Sequence, residues 1–113
     1  MIASVRSDLP SGTVTFVFTD VEGSTRLLDK VGAETYAGVL GEHRRVVREA
    51  YAALGGAEVD TQGDAFFLAF ARAPDALEAA GLTTERLRGG PVRVRIGVHT
   101  GSPLVTDEGY VRW

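Results

Sequence analysis

Residues 13–27, TVTFVFTDVEGSTRL, alternate apolar and hydroxyl-bearing side chains and then stop at a carboxylate. Val14, Phe16 and Phe18 fall on one side of a period-two repeat, and Thr15, Val17 and Thr19 on the other. That spacing predicts a strand with at least one buried face. Asp20 ends the strand, and Val21-Glu22-Gly23-Ser24-Thr25 follows as a glycine-containing loop. A strand packed into a core is a rigid post, so a carboxylate at its end is held in position.

Outward from this post, the chain alternates between helical and strand patterns. Met1 to Gly12 carries Ser, Asp and Pro without periodicity and is expected to be a flexible arm, leaving 13–113 as the domain. Ser24 to Lys30 reads as a short helix. Ala33 to Leu54 reads as a long one, whose Tyr36, Leu40, His43, Val47, Ala50 and Leu54 recur at three- and four-residue steps and should face the sheet. Gly55-Gly56 stops it, because glycine accepts positive φ at little cost. Ala57 to Thr61 is the second strand, Gln62-Gly63-Asp64 a tight turn, and Ala65 to Ala71 the third strand, with Phe66, Leu68 and Phe70 on one face. Pro74 suits the first turn of a helix running to about Arg88. Val92 to Val98 alternates Val, Ile and Arg, giving a fourth strand with an apolar and an arginine face.

Composition bounds the rest. With 113 residues, 44% of them apolar, and a formal charge of −3, the chain fits one domain with a modest core. It has no cysteine, which excludes disulfides, thiolate metal sites and a cysteine nucleophile. No apolar run approaches a membrane span and the first ten residues lack a secretion-signal core, so the expected setting is cytoplasmic, with no membrane partner. Mild acidity argues against a nucleic-acid surface. Arg44, Arg45 and Arg48, offset by Glu34, Glu42 and Glu49, read as a solvated helix face.

The element order, βααβ followed by βαβ, predicts an α+β, ferredoxin-like βαββαβ core. Its antiparallel sheet should carry both long helices on one face through right-handed crossovers. The first and third strands are then central neighbours, which brings Asp20 beside Asp64. The unit is topologically complete by Val98. Its other sheet face, carrying Val17, Phe67 and Ala69 or their neighbours of opposite parity, is left without helices and is expected to be a partner surface.

Two carboxylates at an apolar rim repel each other, and a cation between them relieves this. An oxygen-only donor set without His or Cys suits Mg²⁺ or Mn²⁺, with substrate phosphates completing the shell. The loop from Val21 to Thr25 enters a helix whose free N–H groups favour phosphate. Ser24 or Thr25 could equally serve as an ordinary helix N-cap.

Taken together, FVFTDVEGSTRL, GGAEVDTQGDAFFLAF and VRVRIGVHTG, in this order and spacing, resemble the first portion of the class III adenylyl/guanylyl cyclase catalytic domain. The bacterial members with an F-T-D-x-E-G-S-T motif are the most similar, and the likeness runs from Thr13 to Gly109. It implies that Asp20 and Asp64 are catalytic and bind two divalent metals, that the Val21 carbonyl assists one of them, and that Gly23, Ser24 and Thr25 bind the terminal phosphates. It also implies attack of a ribose 3′-hydroxyl on the α-phosphorus of ATP or GTP, giving a 3′,5′-cyclic nucleotide and pyrophosphate, in a homodimer or with a second cyclase domain. No protein nucleophile is needed.

The sequence departs from that family at two places. Four residues before Asp64, at the base-reading position, stands Asp60 in place of the usual lysine or glutamate. Its carboxylate accepts hydrogen bonds from guanine but cannot donate to the adenine ring, and it is shorter than glutamate, so the base stays open with ATP as the default. The family's Asn-x-x-x-Arg helix does not follow Trp113 in this sequence. The resemblance therefore implies that this chain alone turns over weakly or not at all. Two other readings remain open: a non-catalytic nucleotide- or metal-binding regulatory partner, and a plain ferredoxin-like interaction domain. His43, on the apolar stripe, reads as a packed histidine, and His99 as a structural residue just past the fourth strand. Arg93 and Arg95 fit either phosphate binding or an exposed sheet face, and Gly97 and Gly101 read as permitting close backbone packing.

Overall fold

The computed structural model describes residues 9–106 and 108–112. The alternating segment forms β1 (Val14–Val21). It is followed by α1 (Ser24–Val31), α2 (Ala33–Ala53), β2 (Ala57–Gln62), β3 (Ala65–Phe70), α3 (Ala73–Leu87), β4 (Val94–Gly101), β5 (Leu104–Thr106) and β6 (Gly109–Arg112). The main sheet has the order β2-β3-β1-β4, antiparallel at every pairing, with β1 and β3 central as the element order predicts.

Register settles the two faces. Thr15, Val17 and Thr19 lie opposite Phe70, Leu68 and Phe66. This layer packs with Val47 and Tyr51 of α2 and with Ala76 and Ala79 of α3 to form the main core. Val17 therefore lies under the helices, whereas Phe16 and Phe18 share the helix-free face with Ala69 and Phe67. The grouping of Val17 with Phe67 and Ala69 fails because pairing aligns residues across strands, and parity within one strand does not fix which side it meets. The buried stripe of α2 is His43, Val46, Val47, Ala50 and Tyr51, while Tyr36, Leu40 and Leu54 are only half buried.

The helix-free face is partly covered by a feature the periodicity did not predict. The β5–β6 hairpin brings Tyr110 edge-on to the fully buried Phe16, with ring centroids 5.1 Å apart. The Tyr110 hydroxyl donates to the Pro10 carbonyl at 2.6 Å. Most of the expected arm lies outside the described residues; at its described end Leu9 is buried. At the uncovered end of the face, Phe18 is 39% exposed and stacks on Phe67 at 4.6 Å.

Two glycines close α2. Gly55 has φ +83°, and the Gly56 N–H donates to the Tyr51 carbonyl at 2.8 Å, which satisfies an end-of-helix acceptor. Gly56 also lies against the Phe70 ring, where a Cβ would stand 2.5 Å from Cζ. No helix among the described residues is long and apolar enough to cross a membrane.

Candidate active site

Asp20 and Arg95 face each other across the β1–β4 ladder on the helix-free side. The Arg95 Nε donates to Asp20 Oδ1 at 2.7 Å and its Nη2 to Oδ2 at 2.9 Å, a bidentate pair. These bonds hold the Asp20 carboxyl below the ordinary carboxylate range; burial works against the shift and the guanidinium's attraction adds to it. The pairing also raises the Arg95 pKa, with smaller contributions from Glu22 and Asp64. Arg95 thus sits in the field of three carboxylates, and the arginine face of β4 is an element of the site as well as a solvated surface.

Asp64 reaches the same place from the β2–β3 turn. Its Oδ1 accepts from the Val21 backbone N–H at 3.4 Å and its Oδ2 from the Tyr36 hydroxyl at 3.5 Å. The 44 positions between Asp20 and Asp64 are closed by β1 and β3 being sheet neighbours. Helix α2 braces the turn a second time, since Arg44 donates through Nε at 3.0 Å and through Nη2 to the Gly63 carbonyl. Arg44 was expected on a solvated face and Tyr36 in the core stripe. Both instead hold the Asp64 turn, a role that helical periodicity cannot reveal because it depends on where the turn lands. Arg45, by contrast, pairs with Glu42 and Glu49 on the solvated side as expected.

The loop after Asp20 enters α1 through Gly23 itself, at φ +68° and ψ +31°, with no side-chain cap. Ser24 and Thr25 are therefore the first helical residues, and the N-cap reading for them fails. An open cleft of about 500 Å³ is lined by Val21, Gly23, Ser24, Thr25 and Arg95. Next to it on the helix-free face lies a larger cavity of about 600 Å³. Phe18, Phe67 and Gly97 form its apolar part, and Asp20, Arg95 and Asp60 its charged margin. Gly97 has no neighbour within 4 Å of where a Cβ would stand, so it leaves the cavity open and does not serve close packing. Asp60 lies opposite Phe67 beside a bulge in β2. Its oxygens accept from the Thr61 N–H at 2.9 Å and the Gln62 side-chain amide at 3.0 Å. His99 lies within β4, opposite Phe16 and four residues from Arg95, because the strand runs on to Gly101.

Among the described residues no cluster of three or more His, Cys, Asp or Glu forms. The carboxylates at this rim are hard oxygen donors beside an open cleft. That donor set fits a small divalent cation whose remaining ligands are carbonyl, water or phosphate oxygens.

An antiparallel sheet with helices on one face, acidic groups near the end of a central strand and a glycine loop beside them define an α+β domain with an open acidic rim. The family model for the adenylate and guanylate cyclase catalytic domain matches residues 7–113, and the chain belongs to that family. An uncharacterised protein of Mycobacterium tuberculosis is 40% identical over 104 residues, covering 90% of this chain and 36% of the relative's length. An adenylate cyclase of Podospora anserina is 37% identical over 68 residues, 60% of this chain and 3% of that enzyme. Among solved structures, a Trypanosoma brucei adenylate cyclase in its monomeric state superposes with a TM-score of 0.79 at 23% identity, over 92% of this chain and 63% of the other. The guanylate cyclase domain of Catenaria anguillulae, solved in complex with GTP, gives 0.74 at 19% identity, over 82% and 58%. Both share the fold.

Proposed function

We propose that this domain converts a nucleoside triphosphate, ATP by default and GTP as the alternative, into its 3′,5′-cyclic monophosphate and pyrophosphate. The observation that carries the reading is that Asp64 accepts from the Val21 N–H, one residue past Asp20, while Asp20 lines the large cavity and Val21 the Gly23–Thr25 cleft. Two Mg²⁺ or Mn²⁺ ions, held by Asp20, Asp64 and the Val21 carbonyl, supply acidification of the ribose 3′-hydroxyl and neutralisation of charge on the leaving pyrophosphate.

The chain's own groups do the positioning. The uncapped start of α1 directs the free N–H groups of Gly23, Ser24 and Thr25 toward the terminal phosphates. Arg95, released from Asp20, turns its guanidinium to the same phosphates. The stacked Phe18 and Phe67 rings give the base an apolar floor, with Asp60 and Gln62 at its edge. Tyr36 and Arg44 hold the Asp64 turn still while charge moves. The exposed part of the helix-free face meets a second copy or another cyclase domain, and sedimentation as a monomer at high concentration would count against that pairing.

Incubation with Mn²⁺ and either ATP or GTP tests the proposal. Cyclic product that disappears in both Asp20→Asn and Asp64→Asn supports the enzyme. Nucleotide binding without product supports a regulatory partner, and absence of binding leaves an interaction domain.

A further inference from the structure

Strand β2 does not keep one parity. Glu58 lies opposite Leu68 of the helix-side core and pairs with Arg48 of α2, whereas Asp60, two residues on, lies opposite Phe67 on the helix-free face. In an unbroken strand residues two apart share a face. The register shift between Glu58 and Asp60 makes Val59 the extra residue of a bulge, and the bulge turns Asp60, and with it Gln62, toward the large cavity. The cavity floor beside them is aromatic. The Phe67 and Phe18 rings lie within 6° of parallel, and Gly97, opposite Phe18, leaves the far end open.

Both polar groups at this margin are oriented. The Thr61 N–H donates to Asp60 Oδ1 at 2.9 Å, and the Gln62 Nε2 donates to Asp60 Oδ2 at 3.0 Å. A carboxylate only accepts, so the Gln62 amide has to turn its nitrogen, and not its oxygen, toward Asp60. Each carboxylate oxygen keeps a second lone-pair direction, and the amide nitrogen keeps one N–H. The exposed margin is therefore a fixed row of one donor and two acceptors: the Gln62 N–H, Asp60 Oδ2 and Asp60 Oδ1. Guanine carries the acceptor O6 and the donors N1–H and N2–H in that order along one edge, and matches all three. Adenine matches two, N1 accepting from Gln62 and the 6-amino group donating to Oδ2, and leaves Oδ1 without a donor. We infer that Gln62 and Asp60 together read the base and select GTP, with Asp60 Oδ1 as the group that tells guanine from adenine. This rests on the cyclase reading above and narrows its substrate.

The probes are the 3′-deoxy forms of GTP, ITP and ATP, which lack the attacking hydroxyl. Their affinities for the full chain with Mn²⁺ are read by competition against a fluorescent GTP analogue. The inosine base keeps O6 and N1–H but lacks the 2-amino group, so it isolates the Oδ1 contact on the ligand side and needs no protein variant. The expected result is guanine bound about tenfold more tightly than both inosine and adenine, the worth of one charge-assisted hydrogen bond at an exposed site. Asp60→Ala, at an exposed position of an edge strand, brings guanine down to the level of adenine. Gln62→Leu, equally exposed, weakens all three and keeps their order. Inosine bound as tightly as guanine, adenine bound as tightly or more so, or unchanged guanine binding in Gln62→Leu would each overturn the inference and leave the nucleotide reading standing. Failure of the analogue to bind at all would overturn both.

Discussion

Replacing Arg95 with methionine should tighten binding of a divalent ion and weaken binding of a triphosphate. Methionine keeps an unbranched apolar stem of similar reach and removes only the guanidinium. That guanidinium holds both Asp20 oxygens, at 2.7 and 2.9 Å. An ion entering at Asp20 and Asp64 has to displace these bonds and approach a positive charge. The size of the gain follows from exposure, which is 61% for the Arg95 side chain and 42% for Asp20. Exposed pairs are screened and weak, so the gain in Mn²⁺ affinity is about two- to fivefold at low ionic strength. It fades toward zero near about 1 M salt, where the screening length falls to about 3 Å. Titration of the free Mn²⁺ electron paramagnetic resonance signal measures this without any turnover. A competitive nucleotide titration in the same samples should show the opposite sign, because the phosphates then lack the Arg95 guanidinium. Unchanged or weaker Mn²⁺ binding by Arg95→Met at low salt would refute the idea that the arginine and the cation compete for one carboxylate.

Tyr36→Phe removes the hydroxyl that donates to Asp64. Product formation should fall several-fold and the thermal midpoint by no more than about 4 °C, since the loss of one part-buried hydrogen bond is worth at most about 1 kcal/mol. Gly56→Ala drives a methyl group into the Phe70 ring; the ring is buried in the core and has little room to yield, so urea denaturation should report a loss of about 1–3 kcal/mol. Glu58 is held below its ordinary carboxyl pKa chiefly by the Arg48 hydrogen bond. A depressed carboxyl stabilises the fold above its ordinary value of 4.5 and loses that contribution as the pH falls below it. Glu58→Gln should therefore cut the difference in urea-unfolding free energy between pH 7 and pH 3, by no more than about 1 kcal/mol for so exposed a pair.

Local chemistry was enough to read the skeleton. The alternation through Thr19, the Gly55-Gly56 stop and the Gln62-Gly63-Asp64 turn each follow from forces acting within a few residues, and the element order then limits the sheet to few topologies. Making β1 and β3 central neighbours needed nothing more. The β5–β6 hairpin went unread because its strands are short and Leu104–Thr106 has too few residues for a period to show.

Amino-acid order alone thus determined the strands, the helices and the central pairing of β1 with β3, because periodicity and connectivity are properties of the chain. Only the folded molecule decided that Arg95 grips Asp20, that Tyr36 and Arg44 brace Asp64, and that Val17 belongs under the helices. Those facts depend on strand register and on where side chains from distant elements land, and neither is encoded at any one position in the sequence.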